Sequence, residues 1–153
     1  MNHDQPYRVE DLPIGEHAFP GPLRDQLVGA ILSGQKTSTS SLAEGYRVEG
    51  APLPQVGGLE AVIDSNGRPV CLTRNVAVDL VRLADVTLEH ALAEGEGFVG
   101  VEQWREDHER FWTSPEVLVE LGEDFTLDDD TEVVCVRFEV VEVLDPVTQA
   151  PRA

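Results

Sequence analysis

The sequence predicts an α+β fold, a mixed or antiparallel β-barrel flanked by short helices, and three observations carry that prediction. Residues 59–64 and 69 to about 83 are rich in strand formers and are joined by Ser65-Asn66-Gly67-Arg68, whose Asn-Gly pair is hairpin turn chemistry. Residues 132–144 are β-branched and nearly continuous, the strongest strand signal in the chain. Elsewhere, apolar residues recur at helical spacing. A length of 153 residues fits one domain whose core needs no disulfide or metal staple.

Taken in order, residues 1–18 read as an irregular N-terminal arm, with scattered apolar anchors such as Tyr7, Val9, Leu12 and Ile14. Residues 19–145 read as the domain and 146–153 as a frayed tail. Gly21-Pro22 starts a helix, because a proline in the first turn has no N–H to waste; Leu23, Leu27, Ala30 and Ile31 then follow at helical spacing until Gly34 ends it. Residues 37–41 fit a strand or an extended loop, and Ala51-Pro52-Leu53-Pro54 is a loop. In the second hairpin arm the apolar parity changes, so burial switches faces along a twisted or bulged strand, as a barrel arm requires. Asp85 or Thr87 caps a short helix through about Ala93, and residues 99–112 form another. Residues 114–131 are acidic, contain Pro115 and end in Asp128-Asp129-Asp130; they read as a loop anchored by Val117, Leu118 and Leu121. The chain contains no repeat and no low-complexity segment.

The net charge of −18 makes the average surface repel phosphate backbones and anionic membranes, so neither double-stranded DNA nor a membrane is an expected partner. A local pocket for one nucleoside or a short single-stranded RNA is compatible with it. No apolar run approaches the roughly 20 residues of a bilayer span, and the N-terminus lacks a secretory pattern, so the expected location is cytoplasmic. Cys71 and Cys135 sit in apolar β-like runs and read as small buried hydrophobes. Neither a metal nor a cofactor is expected, and no feature fixes an oligomeric state.

Three groups of residues can carry chemistry. Lys36, the only lysine, stands in Gly34-Gln35-Lys36-Thr37-Ser38-Thr39-Ser40-Ser41. In a plain strand Lys36 and Ser38 point one way while Thr37, Thr39 and Ser41 point the other; if the chain is still turning, Lys36 meets Thr39. Both geometries are open, as is a lysine that merely favours the helix dipole. Glu94-Gly95-Glu96-Gly97 places two carboxylates on a tight junction, where one crowded by the other can hold a proton near neutral pH. The following helix carries Trp104, Arg105, His108, Phe111 and Trp112. Phe111 and Trp112 read as core, while Arg105 and His108, three apart, can face one cavity. Phosphate loops, Ser/His/Asp signatures and zinc spacings are all missing.

The segment ending in Ser33-Gly34-Gln35-Lys36-Thr37-Ser38-Thr39, the run Glu94-Gly95-Glu96-Gly97 with Trp104-Arg105, His108 and Phe111-Trp112, and Val133-Val134-Cys135-Val136-Arg137-Phe138-Glu139-Val140-Val141 together resemble the ASCH domain family, in its longer type. The resemblance spans roughly residues 19–144 in the family's order. It implies a PUA-like barrel with a cleft for RNA or a nucleoside. Some short members are amidohydrolases that remove the acetyl group of N4-acetylcytidine with a Lys, a Thr and a Glu, and another member is reported as a ribonuclease. Carried over, these fall on Lys36, Thr39 and Glu96: Thr39 as nucleophile, Lys36 as activator and charge stabiliser, Glu96 as proton shuttle. Thr37, Ser41, Tyr46, Glu94, Trp104, Arg105 and His108 are the expected substrate-binding residues. Ser41 replaces an arginine that short members carry two residues beyond the threonine. The competing reading is a non-catalytic RNA-binding or regulatory module, in which Lys36, Arg105 and aromatic residues hold a short strand.

Overall fold

The computed structural model describes residues 8–122 and 124–144; the first seven residues of the expected arm and the expected tail lie outside them. Within the arm, Val9–Asp11 form a 3-10 turn and Ile14–Gly15 a short strand, β1. Helix α1 spans Pro22–Ser33, with proline in its first turn and Gly34 closing it at φ 84°, a left-handed conformation that suits glycine. Strand β2 is Ser38–Leu42 and runs into a short helix α2, Ala43–Glu49. The hairpin forms as expected, β3 over Leu59–Ile63 and β4 over Pro69–Arg82, with Asp64 Oδ1 accepting from the Asn66 and Arg68 amides to shape its turn.

Helix α3, Leu88–Ala93, is capped by Thr87, whose Oγ1 accepts from the His90 amide at 3.1 Å. Helix α4 is Val101–Trp112, α5 is Pro115–Leu121 and β5 is Glu132–Val143. Two helices depart from the sequence reading. The segment expected as an acidic loop holds α5, because Ser114-Pro115 opens a helical turn that buries Val117. Residues 43–49, with Gly45 among them and no buried residue, gave no periodic signal for α2.

The strands form one mixed sheet in the order β1-β3-β4-β5-β2, antiparallel except for β1 against β3. β4 is the long arm expected: its register shifts between Leu72 and Thr73 and between Asn75 and Ala77, so it bends while serving β3 and β5. Alternation gives the sheet two different faces. On one, Leu42, Val133 and Cys135 pack with Ala91, Trp104 and Trp112 of α3 and α4. On the other, Val28 and Ile31 of α1 cover Val62, Cys71 and Phe138. Both cysteines are free and buried, and burial pushes their thiols up, Cys71 to about 11 and Cys135 to about 12. Among the described residues no helix is long and apolar enough to cross a membrane.

Candidate active site

The turn leaving α1 and the turn leaving α3 are pressed together. The Lys36 amide reaches back to the Ala30 carbonyl at 3.0 Å, and the next amide, of Thr37, donates to Ala93 at 2.8 Å. Gly95 makes this approach possible: it has φ 69°, and a Cβ there would lie 2.2 Å from the Gln35 carbonyl oxygen. The only lysine is thereby delivered to the Glu94-Gly95-Glu96 junction.

Glu94 is the hub. Its Oε2 accepts from Trp104 Nε1 at 2.5 Å and from Ser40 Oγ at 2.7 Å, while its Oε1 lies 3.1 Å from His108 Nε2 and 3.6 Å from Lys36 Nζ. Burial alone would raise this carboxyl, but hydrogen bonds from His108 and His90 and the charges of His108 and Lys36 outweigh it, holding Glu94 far below the usual carboxylate range. The second nitrogen of His108 faces the Trp104 carbonyl at 2.8 Å. With an oxygen acceptor at each end, the ring is favoured as a cation, and its pKa is raised by Glu94 against the effect of burial.

Lys36, 2% exposed, donates to the Glu94 carbonyl at 3.4 Å and pairs with Glu96 at 3.5 Å. Glu96 is the member that reaches solvent, with its side chain 19% exposed. Burial pushes its carboxyl up to about 7; Lys36 opposes this and the neighbouring Glu94 adds to it. One carboxylate of the junction is thus fixed as an anion and the other titrates near neutrality, as a proton-transfer group requires.

The donor atoms of Glu94, Glu96 and His108 lie within 4.8 Å of one another, a spacing that a metal ion can bridge. The set fits a metal poorly. Lys36 already supplies the positive charge between the carboxylates, and a cationic His108 has no lone pair to give.

Of the residues expected at the site, Lys36, Glu94, Glu96, Trp104 and His108 come together. Thr37 tethers the turn, its hydroxyl 3.4 Å from the Ala93 carbonyl. Ser41 and Tyr46 form a separate pair, hydroxyl to hydroxyl at 3.1 Å. Two placements differ from expectation. Thr39 makes no hydrogen bond to Lys36: β2 is regular from Ser38 onward, so Thr39 takes the face opposite Ser38 and Ser40. Arg105 leaves the cavity, drawn instead to Glu109 at 2.8 Å and Asp129 at 2.6 Å.

Residues not anticipated complete the network. Ser38 donates to the His90 carbonyl, and Ser40 lies 2.6 Å from His90 Nε2 while it donates to Glu94. The signal for His90 was its position four residues before Glu94, on one face of a capped helix.

A family model described as the ASCH domain matches residues 16–142. The chain belongs to the ASCH domain family. Solved structures similar to it include these two. A crystal structure of an Enterococcus faecalis protein has 26% identity and a TM-score of 0.72, covering 87% of this chain and 77% of that one. An ASCH domain from Lactobacillus crispatus has 29% identity and a TM-score of 0.68, covering 87% and 83%. No curated protein matches the sequence. The five-stranded mixed sheet with its helices is the ASCH, PUA-like fold, and ASCH domains are linked to RNA-related functions.

Proposed function

We propose that this ASCH domain hydrolyses an amide on a modified nucleoside of the N4-acetylcytidine kind, with Lys36, Thr39 and Glu96 as the reacting groups. One observation carries the reading: the Glu96 carboxylate lies 3.5 Å from the ammonium of the chain's only lysine, in a setting where burial pushes it up to about 7. The choice of nucleophile follows the family resemblance, which places the family's threonine on Thr39. Thr37, Ser38, Ser40 and Ser41 each spend their hydroxyl on a hydrogen bond within the protein, whereas Thr39 makes none.

In the proposed reaction Thr39 Oγ1, which faces away from Ser38 and Ser40, bonds to the acetyl carbon as its proton passes through water to Glu96, and the Lys36 ammonium stabilises the oxyanion. Glu96 then returns the proton to the departing amine, and water cleaves the acetyl ester to release acetate. No metal or cofactor takes part. Arg105 is committed to ion pairs and the net charge is −18, so a phosphate-free nucleoside suits the chain better than an RNA strand.

Cytidine release from N4-acetylcytidine tests the reading. Glu96 must start ionised, so kcat/KM is expected to rise with pH up to about 7 and then level off. Glu96→Gln, checked for folding by circular dichroism, is expected to lower turnover by roughly a hundredfold or more. Thr39→Val is expected to abolish it. Full activity in Thr39→Val would replace the acyl-enzyme by direct attack of water, and no acetate from the intact protein would end the proposal.

A further inference from the structure

The Lys36 side chain is 2% exposed, so an acyl group can meet its ammonium only if a neighbouring segment moves. The connection between β1 and α1, residues 16–21, touches the structure on both sides of that lysine. Its two ends are pinned to the β3–β4 hairpin: Gly15 pairs with Val62, and the Gly21 amide donates to Ser65 Oγ at 2.9 Å. Between the pins, two rings rest on different walls of the site. His17 packs against Phe138 with centroids 6.3 Å apart, and the Phe138 amide donates at 3.0 Å to the carbonyl of Thr37, the residue after Lys36. Phe19 packs at 5.8 Å against Phe111, which stands one turn of α4 beyond His108. The segment therefore runs from the β5 wall to the α4 wall.

One side chain holds the segment down, and its own conformation opposes closure. Arg24, 1% exposed, donates to the carbonyls of His17 and Ala18 at 3.3 and 2.7 Å, to the Glu16 carboxylate at 2.6 Å and to the Asp64 carbonyl at 3.3 Å. Against this latch, Ala18 takes a φ of 62°, the one left-handed residue other than glycine among the described residues. The His17 ring is buried as well. Burial, and after it the charges of Lys36 and Arg24, lower it to about 3 with Glu94 opposing, as expected of a neutral ring lying close to the Lys36–Glu94 pair. Lifting the segment relieves the strained alanine and rehydrates the imidazole, while the pinned ends bring it back.

We propose that residues 16–20 form a strap that lifts to open the way to Lys36, with Arg24 as its latch. In the lifted state His17 leaves Phe138 and Phe19 leaves Phe111, while Gly15 and Gly21 stay on the hairpin and the packing of α3 and α4 on the sheet is kept. Arg24, His17 and Phe19 are positioning residues, since they govern access and touch no reacting atom. Lifting is a local opening of a segment with few contacts, so it occurs far more often than unfolding of the core. The effect of the strap on turnover rests on the proposed hydrolase reading; the exposure of Lys36 does not.

Because the chain has a single lysine, its acetylation by N-hydroxysuccinimidyl acetate, read on the full chain by peptide mass spectrometry, reports the lifted state without turnover. Hydrogen exchange at the core amides of Ile31 and Val134 in the same samples reports global opening. Wild-type Lys36 is expected to be acetylated roughly tenfold or more faster than global opening allows. Phe19→Ala is expected to raise that rate about fivefold and Arg24→Met about tenfold, whereas Ala18→Gly, in which the left-handed turn carries no strain, lowers it about threefold. Opposite signs at neighbouring positions separate lifting from a loosened fold. Acetylation that follows global opening in every variant, or rates unmoved by Phe19→Ala and Ala18→Gly, would overturn the strap. Acetylation in the expected order without any amide turnover by the intact protein would uphold the strap and remove the hydrolase reading.

Discussion

Glu94 and Glu96 share Lys36 as a counter-ion, yet their surroundings drive them apart. Glu94 accepts from an indole, a hydroxyl and an imidazole, so its charged form is solvated by the protein; Glu96 has the lysine and little else. Their linkage to stability has opposite signs. Glu94, held low, stabilises the fold above its unfolded value of about 4.3, and that contribution is lost as pH falls through acid. Glu96, pushed up to about 7, leaves the folded state binding the extra proton between about pH 4 and 7, so stability falls as pH rises across that window. Urea unfolding of wild type and Glu96→Gln at several pH values should show that decline in the wild type and its absence in the variant. Glu94→Ala leaves Lys36 with Glu96 as its remaining carboxylate and leaves Ser40, Trp104 and His108 without their shared acceptor, and is expected to cost on the order of 3 kcal/mol in the same assay. A decline of equal depth in Glu96→Gln would mean that the titrating group lies elsewhere.

The site exists because two turns touch, and the glycines of the second turn are not equivalent. Gly95 and Gly97 both have positive φ, but a Cβ on Gly95 would strike the Gln35 backbone, whereas Gly97 has nothing within 4 Å. Gly97→Ala is therefore expected to cost about 1 kcal/mol from backbone strain alone. Gly95→Ala is expected to cost about 3 kcal/mol, because it must also push α3 away from the α1–β2 turn and separate Lys36 from Glu96. Chemical denaturation of both variants checks the contrast, and equal losses would show that the close approach is not tight. The sequence made this junction legible in part. Gly34, Thr87 and the Asn66-Gly67 turn announce where elements begin and end, because capping and turn chemistry are local. The side of β2 that meets Glu94 was not legible: Thr39 and Ser40 differ only by strand parity, and that parity is set by pairing with Val136 and Cys135, nearly a hundred residues away. Arg105 misled for a related reason, since Asp129, its partner at 2.6 Å, lies beyond α5.

At the scale of the molecule, a charge of −18 leaves open whether a local cationic surface survives for RNA. Among the described residues every lysine and arginine except Arg68 sits in an ion pair with a carboxylate. Binding a phosphate backbone would therefore require breaking these pairs while bringing the strand against the remaining acidic field, and it would release few counterions. Exposed pairs of this kind contribute little to stability, so what they change here is how much positive potential is free for a ligand. The expected outcome is that a labelled single-stranded RNA of about ten nucleotides shows only weak binding by fluorescence anisotropy, even at low ionic strength. Arg105→Ala, which removes the cation that sequence reasoning had offered to a strand, should leave that weak signal unchanged. Tight binding that falls steeply with salt, and falls further in Arg105→Ala, would return the chain to the RNA-binding reading and displace the nucleoside from its cleft.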